Sequence, residues 1–187
     1  KKRIQELSPA QFQEFCDVLI HKKGYGIVHG LGMQAGTGNT TKGNPDTYFR
    51  KDNGKYVFVA YTIEQGNIYN KLKKDINKCL DVTKTGLNPQ NIDEIIICHT
   101  SSNLKAGDEN QLYDFCKSKG ISLQIWGIDE IANLVHNKYR SLANDYLSLS
   151  LDTNQIFSYD EFVEKYDQNG MPAIICIPKF NNIRKRN

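Results

Sequence analysis

The sequence predicts an α/β fold, a three-layer α/β/α sandwich built on a mixed central sheet. Three observations predict it. Residues 46–49 and 55–62 are two extended segments, the second rich in aromatic and β-branched side chains, and the loop Lys51-Asp52-Asn53-Gly54 between them reverses the chain into an antiparallel pair. Later, apolar runs at 92–98 and 121–126 alternate with segments of helical period, which implies right-handed crossovers and parallel strands. The chain has 187 residues, 39% hydrophobic and 24% charged, enough for one domain of ordinary size with a real core.

The elements follow in order. Ser8 is a good N-cap, Pro9 suits the first helical position and Gln11 completes a capping box. Phe12, Phe15, Cys16, Leu19 and Ile20 then share one face of a helix that should end near Lys23, with Gly24 as its stop. The glycine-rich run 25–43 lacks the Gly-Lys-Ser/Thr ending of a Walker loop and the following helix of a dinucleotide loop, so it reads as a strand-loop-strand leading to the Asn44-Pro45-Asp46 turn. Residues 56–63 have the composition of a buried strand. A helix is predicted over 67–82, with Ile68, Leu72, Ile76, Cys79 and Leu80 as its apolar face. Further strands are predicted at 92–98 and 121–126, and further helices at 108–119, 128–136 and 139–147. After residue 150 the character changes. Residues 1–150 read as the domain. Residues 151–187 read as a connector toward a following domain, with a short helix at 159–166 and one more strand at 173–177, either of this domain or of the next.

Composition narrows the function. The net charge of +3 and pI near 8.5 permit a nucleic-acid partner without demanding one. The cysteines Cys16, Cys79, Cys98, Cys116 and Cys176 have no zinc-pair spacing, and buried free thiols point to a reducing, cytoplasmic setting. The sequence shows no signal peptide and no apolar run long enough to span a membrane. His21, His29, His99 and His136 show no ligand spacing and no tie to a nucleophile. The chain starts without Met and reads as a fragment of a longer protein.

The stretch Lys42-Gly43-Asn44-Pro45-Asp46-Thr47-Tyr48-Phe49, followed by Lys55-Tyr56-Val57-Phe58-Val59-Ala60-Tyr61-Thr62, carries the chemical signal. It resembles the core of the PD-(D/E)XK nucleases, the restriction-endonuclease-like superfamily, and in particular the Mrr-like domains at the N-termini of large bacterial NTPases, antiphage-defence proteins among them. The resemblance covers residues 7–151. It implies a restriction-endonuclease-like sheet, Mg²⁺ or Mn²⁺ as cofactor, and cleavage of double-stranded DNA with little sequence specificity. Metal-assisted phosphodiester cleavage needs carboxylates to hold a hard cation, an activated water, and a lysine or similar donor to offset charge.

On that resemblance Asp46 is the first acidic ligand, entered through Pro45 with Gly43 allowing close approach. Ala60 occupies the family's glutamate slot and Thr62 its lysine slot. Glu64 and Gln65 follow where the subgroup has a later Gln. Alternation along a strand turns Ala60, Thr62 and Glu64 to one face. Ala60 has two explanations, an engineered silencing change or a natural pseudo-nuclease. The intact surroundings favour the first. For a migrated lysine, Lys71 and Lys73 flank the apolar stripe of the next helix, and Lys73 is the choice. The first helix offers Glu14, with the right chemistry for a metal ligand, and Gln13, with the better angle. Lys42, Lys51, Lys71 and Lys74 would neutralise DNA phosphates without reading bases. The resemblance also implies oligomerisation through the missing C-terminal region as the activating event. The rival reading is a catalytically dead DNA-binding or assembly module of the same fold.

Overall fold

In the computed structural model, which describes residues 1–26, 29–30, 45–102 and 104–149, seven α-helices and one 3-10 turn surround a mixed sheet. The described residues belong to one compact unit, Lys1–Leu151. The readings made for the glycine-rich run 31–43, and for the connector, short helix and strand of 151–187, lie outside the described residues.

The sheet order is β1-β2-β3-β4-β5. β1 (His29–Gly30) is a two-residue edge piece, so four substantial strands carry the sheet: β2 (Thr47–Arg50), β3 (Tyr56–Thr62), β4 (Ile92–His99) and β5 (Ser122–Trp126). β1, β2 and β3 pair antiparallel, whereas β3, β4 and β5 are parallel. The β2–β3 turn closes through Lys51 N–H to the Lys55 carbonyl at 2.8 Å and Gly54 N–H to the Lys51 carbonyl at 2.9 Å. Gly54 sits at φ +82, where a side chain would be strained.

Side chains alternate between two cores. Val57, Val59, Ile96, Cys98 and Trp126 face one cluster with Phe12, Phe15, Leu19 and Ile20 of α2 (Pro9–Lys22). Ile128, Ile131 and Val135 of α6 (Ile128–Asn137) and Leu142 of α7 (Arg140–Leu147) complete it. Phe58, Ile95, Ile97, Leu123 and Ile125 face the other cluster, with Leu72, Ile76 and Cys79 of α3 (Ile68–Leu80) and Leu112 and Cys116 of α5 (Ala106–Ser118). Helices therefore cover both faces of the parallel strands, which explains why β4 is a nearly unbroken apolar run. The arrangement is a generic α/β/α sandwich.

The caps follow the sequence. Ser8 and Gln11 form the reciprocal capping box, with bonds of 3.3 and 3.0 Å, and Pro9 opens α2. Differences are local. A short α1 (Lys2–Gln5) precedes α2 and buries Ile4 in the first core. The helix expected over 67–82 divides into α3 and α4 (Val82–Thr85), because Asp81 is extended and caps the second piece through Thr83 N–H at 3.0 Å. α5 begins at Ala106, two residues before the expected 108, and β3 stops at Thr62, one residue short of 63.

No helix among the described residues is long and apolar enough to cross a membrane. Cys16, Cys79, Cys98 and Cys116 are all buried and free.

Ile96 is fully buried on the central strand β4. Ile96→Ala is expected to lower unfolding free energy by about 2–5 kcal/mol. Val82→Ala, at the one exposed large hydrophobic position among the described residues, is expected to change it by less than about 0.5 kcal/mol. Urea denaturation of both variants measures the contrast.

Candidate functional site

The β2–β3 register builds the site. Thr47 pairs with Val59 and Tyr48 with Phe58. Continuing that register by one residue sets Asp46 across from Ala60. Tyr61 N–H donates to Asp46 Oδ2 at 3.0 Å, which fixes the carboxylate against β3. Thr47 and Phe49 turn toward α2, while Tyr48 packs on the α3 side. By strand alternation Asp46 shares the α3 side with Ala60, Phe58 and Thr62. Ala60 is buried. Thr62, also buried, accepts a hydrogen bond at Oγ1 from Glu64 N–H at 3.2 Å.

The α3 helix brings charge to this face. Asp75 is buried, and its two oxygens are held by Lys71 Nζ at 2.6 Å and Lys78 Nζ at 2.8 Å. Burial raises the proton affinity of Asp46, the Tyr61 amide opposes that, Asp75 raises it further, and Lys71 and Lys78 lower it. The same two carboxylates act on Cys79, whose thiol is pushed well above its ordinary range, chiefly by burial. Cys79 is buried and packs in the α3-side core.

The opposite side of β2 and β3 holds a second polar group. Gln13 is buried, and its Nε2 donates to Thr47 Oγ1 at 3.2 Å and to the Asp46 carbonyl at 3.4 Å. The Asp17 carboxylate accepts from Thr47 Oγ1 at 3.5 Å and from the Tyr61 hydroxyl. Burial pushes the Asp17 carboxyl up to about 6, against the lowering bonds from Tyr61 and Thr47, and the charges of Asp46 and Glu14 add to the rise. A small cleft of about 50 Å³, lined by Pro9, Gln13, Asp46, Tyr61 and Thr62 among others, opens between the start of α2 and the end of β3.

The remaining sequence-derived candidates are dispersed. Glu14 is exposed on α2, on the helix side that faces Asp17 and Tyr146, and Gln13 is the α2 residue that touches the Asp46 backbone. Lys73 is exposed, with its ammonium 5.8 Å from the Tyr69 ring centroid. Lys71, not Lys73, is the flanking lysine whose charge bears on Asp46. Lys74 is exposed and lines a groove of 380 Å³ with Lys73, Lys78 and Lys84 along α3 and α4. Lys51 is tied up in ion pairs to Asp93 at 2.7 Å and Glu94 at 2.9 Å, which braces the hairpin turn against the start of β4. Glu64 lies past the end of β3 and is exposed, so strand alternation does not carry it to the face of Ala60, and the Ser101 hydroxyl donates to its carbonyl. Gln65 donates to Thr100 Oγ1 at 2.9 Å. Pro45 is buried beside Asp46, whereas Lys42 and Gly43 lie outside the described residues.

Two residues escaped the sequence reading. Asp75 sits at i+3 from Leu72 and next to Ile76, inside the apolar stripe, with Lys71 four residues before it and Lys78 three after. That pattern is visible in the sequence as a charged residue on a buried helical face. Asp17 stands four residues after Gln13, a spacing that places both on one side of α2.

The described residues do not by themselves complete a site for a divalent metal ion. Among the described residues no three His, Cys, Asp or Glu side chains gather in a way that could hold one. Asp75 is already neutralised by two lysines, and Ala60 supplies no oxygen. No protein-family model matches the chain, and no curated protein matches its sequence significantly.

Because Asp17 binds its proton more tightly when folded, the native state holds that proton across roughly pH 4 to 6 while the unfolded chain releases it. Stability contributed by this group is thus lost as pH rises through that window. Asp17→Asn is expected to reduce the fall in unfolding free energy between pH 4 and pH 7 by about 1–2 kcal/mol, measured by urea denaturation at each pH.

Proposed function

We propose that this chain is a PD-(D/E)XK nuclease domain of the Mrr-like kind, silenced at position 60. With glutamate there, it would be a Mg²⁺-dependent endonuclease for double-stranded DNA with little sequence specificity. The observation that carries this reading is the juxtaposition of Asp46, one residue before β2, with Ala60 of the antiparallel β3, where the charge of Lys71 on α3 bears on the Asp46 carboxylate. A side chain ending in a carboxylate at 60 would bring a second hard oxygen donor beside Asp46, the minimum from which such enzymes build a Mg²⁺ site. No cleavage step is assigned to the chain with alanine at this position.

In this reading Lys71 takes the lysine role that Thr62 vacates. It is anchored to Asp75, so its ammonium is held within electrostatic range of Asp46. Gln13 holds the strand start from the other side and is a positioning residue. The groove lined by Lys73, Lys74, Lys78 and Lys84, with Asp81 paired to Lys84, offers a mainly basic surface along α3 and α4 for phosphates of a DNA backbone. The setting is that of a bacterial cytoplasmic antiphage effector, activated when a C-terminal region assembles copies of the chain.

A second reading has its own support. The Lys71–Asp75–Lys78 cluster is closed on itself, and the described residues lack a metal-binding group. A catalytically dead DNA-binding or assembly module would look the same, and it would keep its DNA affinity without metal.

Plasmid cleavage separates the two. With Mg²⁺, Ala60→Glu is expected to nick supercoiled DNA while the chain as it stands does not. Adding Asp46→Asn to Ala60→Glu should remove the activity by roughly 10²-fold or more. An inactive but folded Ala60→Glu protein, assembled by fusion to an oligomerising tag, would favour the dead module. In the Ala60→Glu background, Lys71→Ala should cut the rate by roughly 10²-fold, and Lys73→Ala should leave it within about threefold. Equal losses would contradict the assignment of Lys71.

A further inference from the structure

The antiparallel half of the sheet carries a row of aromatic rings on one face. His29 of β1 pairs with Tyr48 of β2, and Tyr48 pairs with Phe58 of β3. The His29 and Tyr48 rings stack, with 5.4 Å between centroids and 28° between planes. Tyr48 lies 6.0 Å from Tyr56, and Tyr56 lies 6.4 Å from Phe58. Arg50, the cross-strand partner of Tyr56, holds its guanidinium 5.7 Å from the Tyr56 ring centroid. Strand alternation turns all of these side chains to the α3 side of the sheet, the side of Asp46.

On that side the described helices lie over the parallel strands, α3 on β4 and α5 on β5. Phe58 is buried beneath them, Tyr48 and Tyr56 are half-buried at the margin of the core, and His29 and Arg50 are exposed. A stripe of aromatic rings is ordinarily core. This row instead runs out of the core into solvent, and it has a cation beside it where a core would have an apolar side chain.

Charge decides what the row can take. Arg50 Nε donates to the Gly54 carbonyl at 2.9 Å, which fixes the guanidinium at the hairpin turn. Lys51, the next cation in that turn, is consumed by Asp93 and Glu94. No carboxylate pairs with Arg50 among the described residues, so its remaining N–H groups are free to fork onto phosphate oxygens. Asp46 is the opposing charge on this face, and the Lys71–Asp75–Lys78 cluster beside it carries one net positive charge. From Asp46 to Arg50 the strand advances about 13 Å. A sheet face of that size stacks two or three bases in the modules that read single strands.

We propose that this face binds single-stranded nucleic acid, with unpaired bases stacked on Tyr48, Tyr56 and His29 and a backbone phosphate on Arg50. Stacking needs a free base face, which the interior of a duplex does not offer, so the row selects unpaired strand. An acidic peptide would gain the Arg50 charge but would bring nothing planar to the rings. The interaction needs neither a metal ion nor a carboxylate at position 60, so it stands or falls apart from the nuclease reading.

The test uses the full chain as it stands, in EDTA and low salt, with a fluorescein-labelled oligothymidylate of about fifteen nucleotides. Anisotropy compares it with an abasic strand of the same length, which keeps the phosphates and removes the bases. The oligothymidylate is expected to bind with a dissociation constant at or below about 100 μM, and at least about tenfold tighter than the abasic strand. Tyr48→Leu and Tyr56→Leu keep an apolar group against the core and should each weaken binding by about tenfold, while Tyr48→Phe and Tyr56→Phe should hold it within about threefold. A 5-iodouracil base in the strand should cross-link under ultraviolet light to the peptides holding Tyr48 and Tyr56, and the same base inside a duplex should not. Equal affinity for the abasic strand, measured on the unaltered chain, would overturn the proposal whatever the variants do. Cross-links confined to other peptides, or equal cross-linking from duplex, would overturn it as well.

Discussion

The hydrogen bond from Tyr61 N–H to Asp46 Oδ2 is the contact on which the Asp46 site depends. Asp46 lies just before β2, where the ladder with β3 has not yet begun. A side-chain oxygen there accepts the amide that the next backbone carbonyl would have taken had the strand run on. The bond sets the carboxylate against β3 and, through the antiparallel register, beside position 60. It also explains why a carboxylate survives in a half-buried place. A charge-assisted bond from a backbone amide offsets part of the desolvation that raises its proton affinity.

From that anchor the two faces of the sheet divide the work. Toward α2, Gln13, Thr47, Asp17 and Tyr61 form a hydrogen-bonded group that pins the start of β2 to the helix. Toward α3, the Lys71–Asp75–Lys78 cluster places a buried carboxylate between two lysines, an arrangement that pairs the buried charge and carries one net positive charge. Position 60 lies on the α3 side of the sheet and contributes only a methyl group. In the proposed reading one side chain is wanting, while the contacts that hold the strands around position 60 do not involve it.

Much of the fold was legible in the sequence because its signals are local. The capping box at Ser8, the apolar stripe of α2 and the buried runs of β4 and β5 each depend on residues close in the chain. The end of α3 was less legible, because Asp81 turns extended and caps a second short helix instead of continuing the first. Asp46 and Ala60 fall on one face by period and register, but the same period failed for Glu64 because β3 ends two residues earlier. The ion pairs of Lys71 and Lys78 with Asp75 were less legible, because they depend on a carboxylate buried inside an apolar stripe.

The most direct test of the paired Asp46–position 60 site is metal binding rather than turnover, because it needs no partner and no substrate. Backbone amide spectra of the chain and of its Ala60→Glu variant would be recorded with substoichiometric Mn²⁺, whose paramagnetism broadens nearby signals. The account predicts selective broadening of Asp46, Thr47 and Tyr61 in the variant and none in the chain with alanine. Broadening of those amides in both proteins, or broadening in the variant confined to surface carboxylates elsewhere, would contradict it.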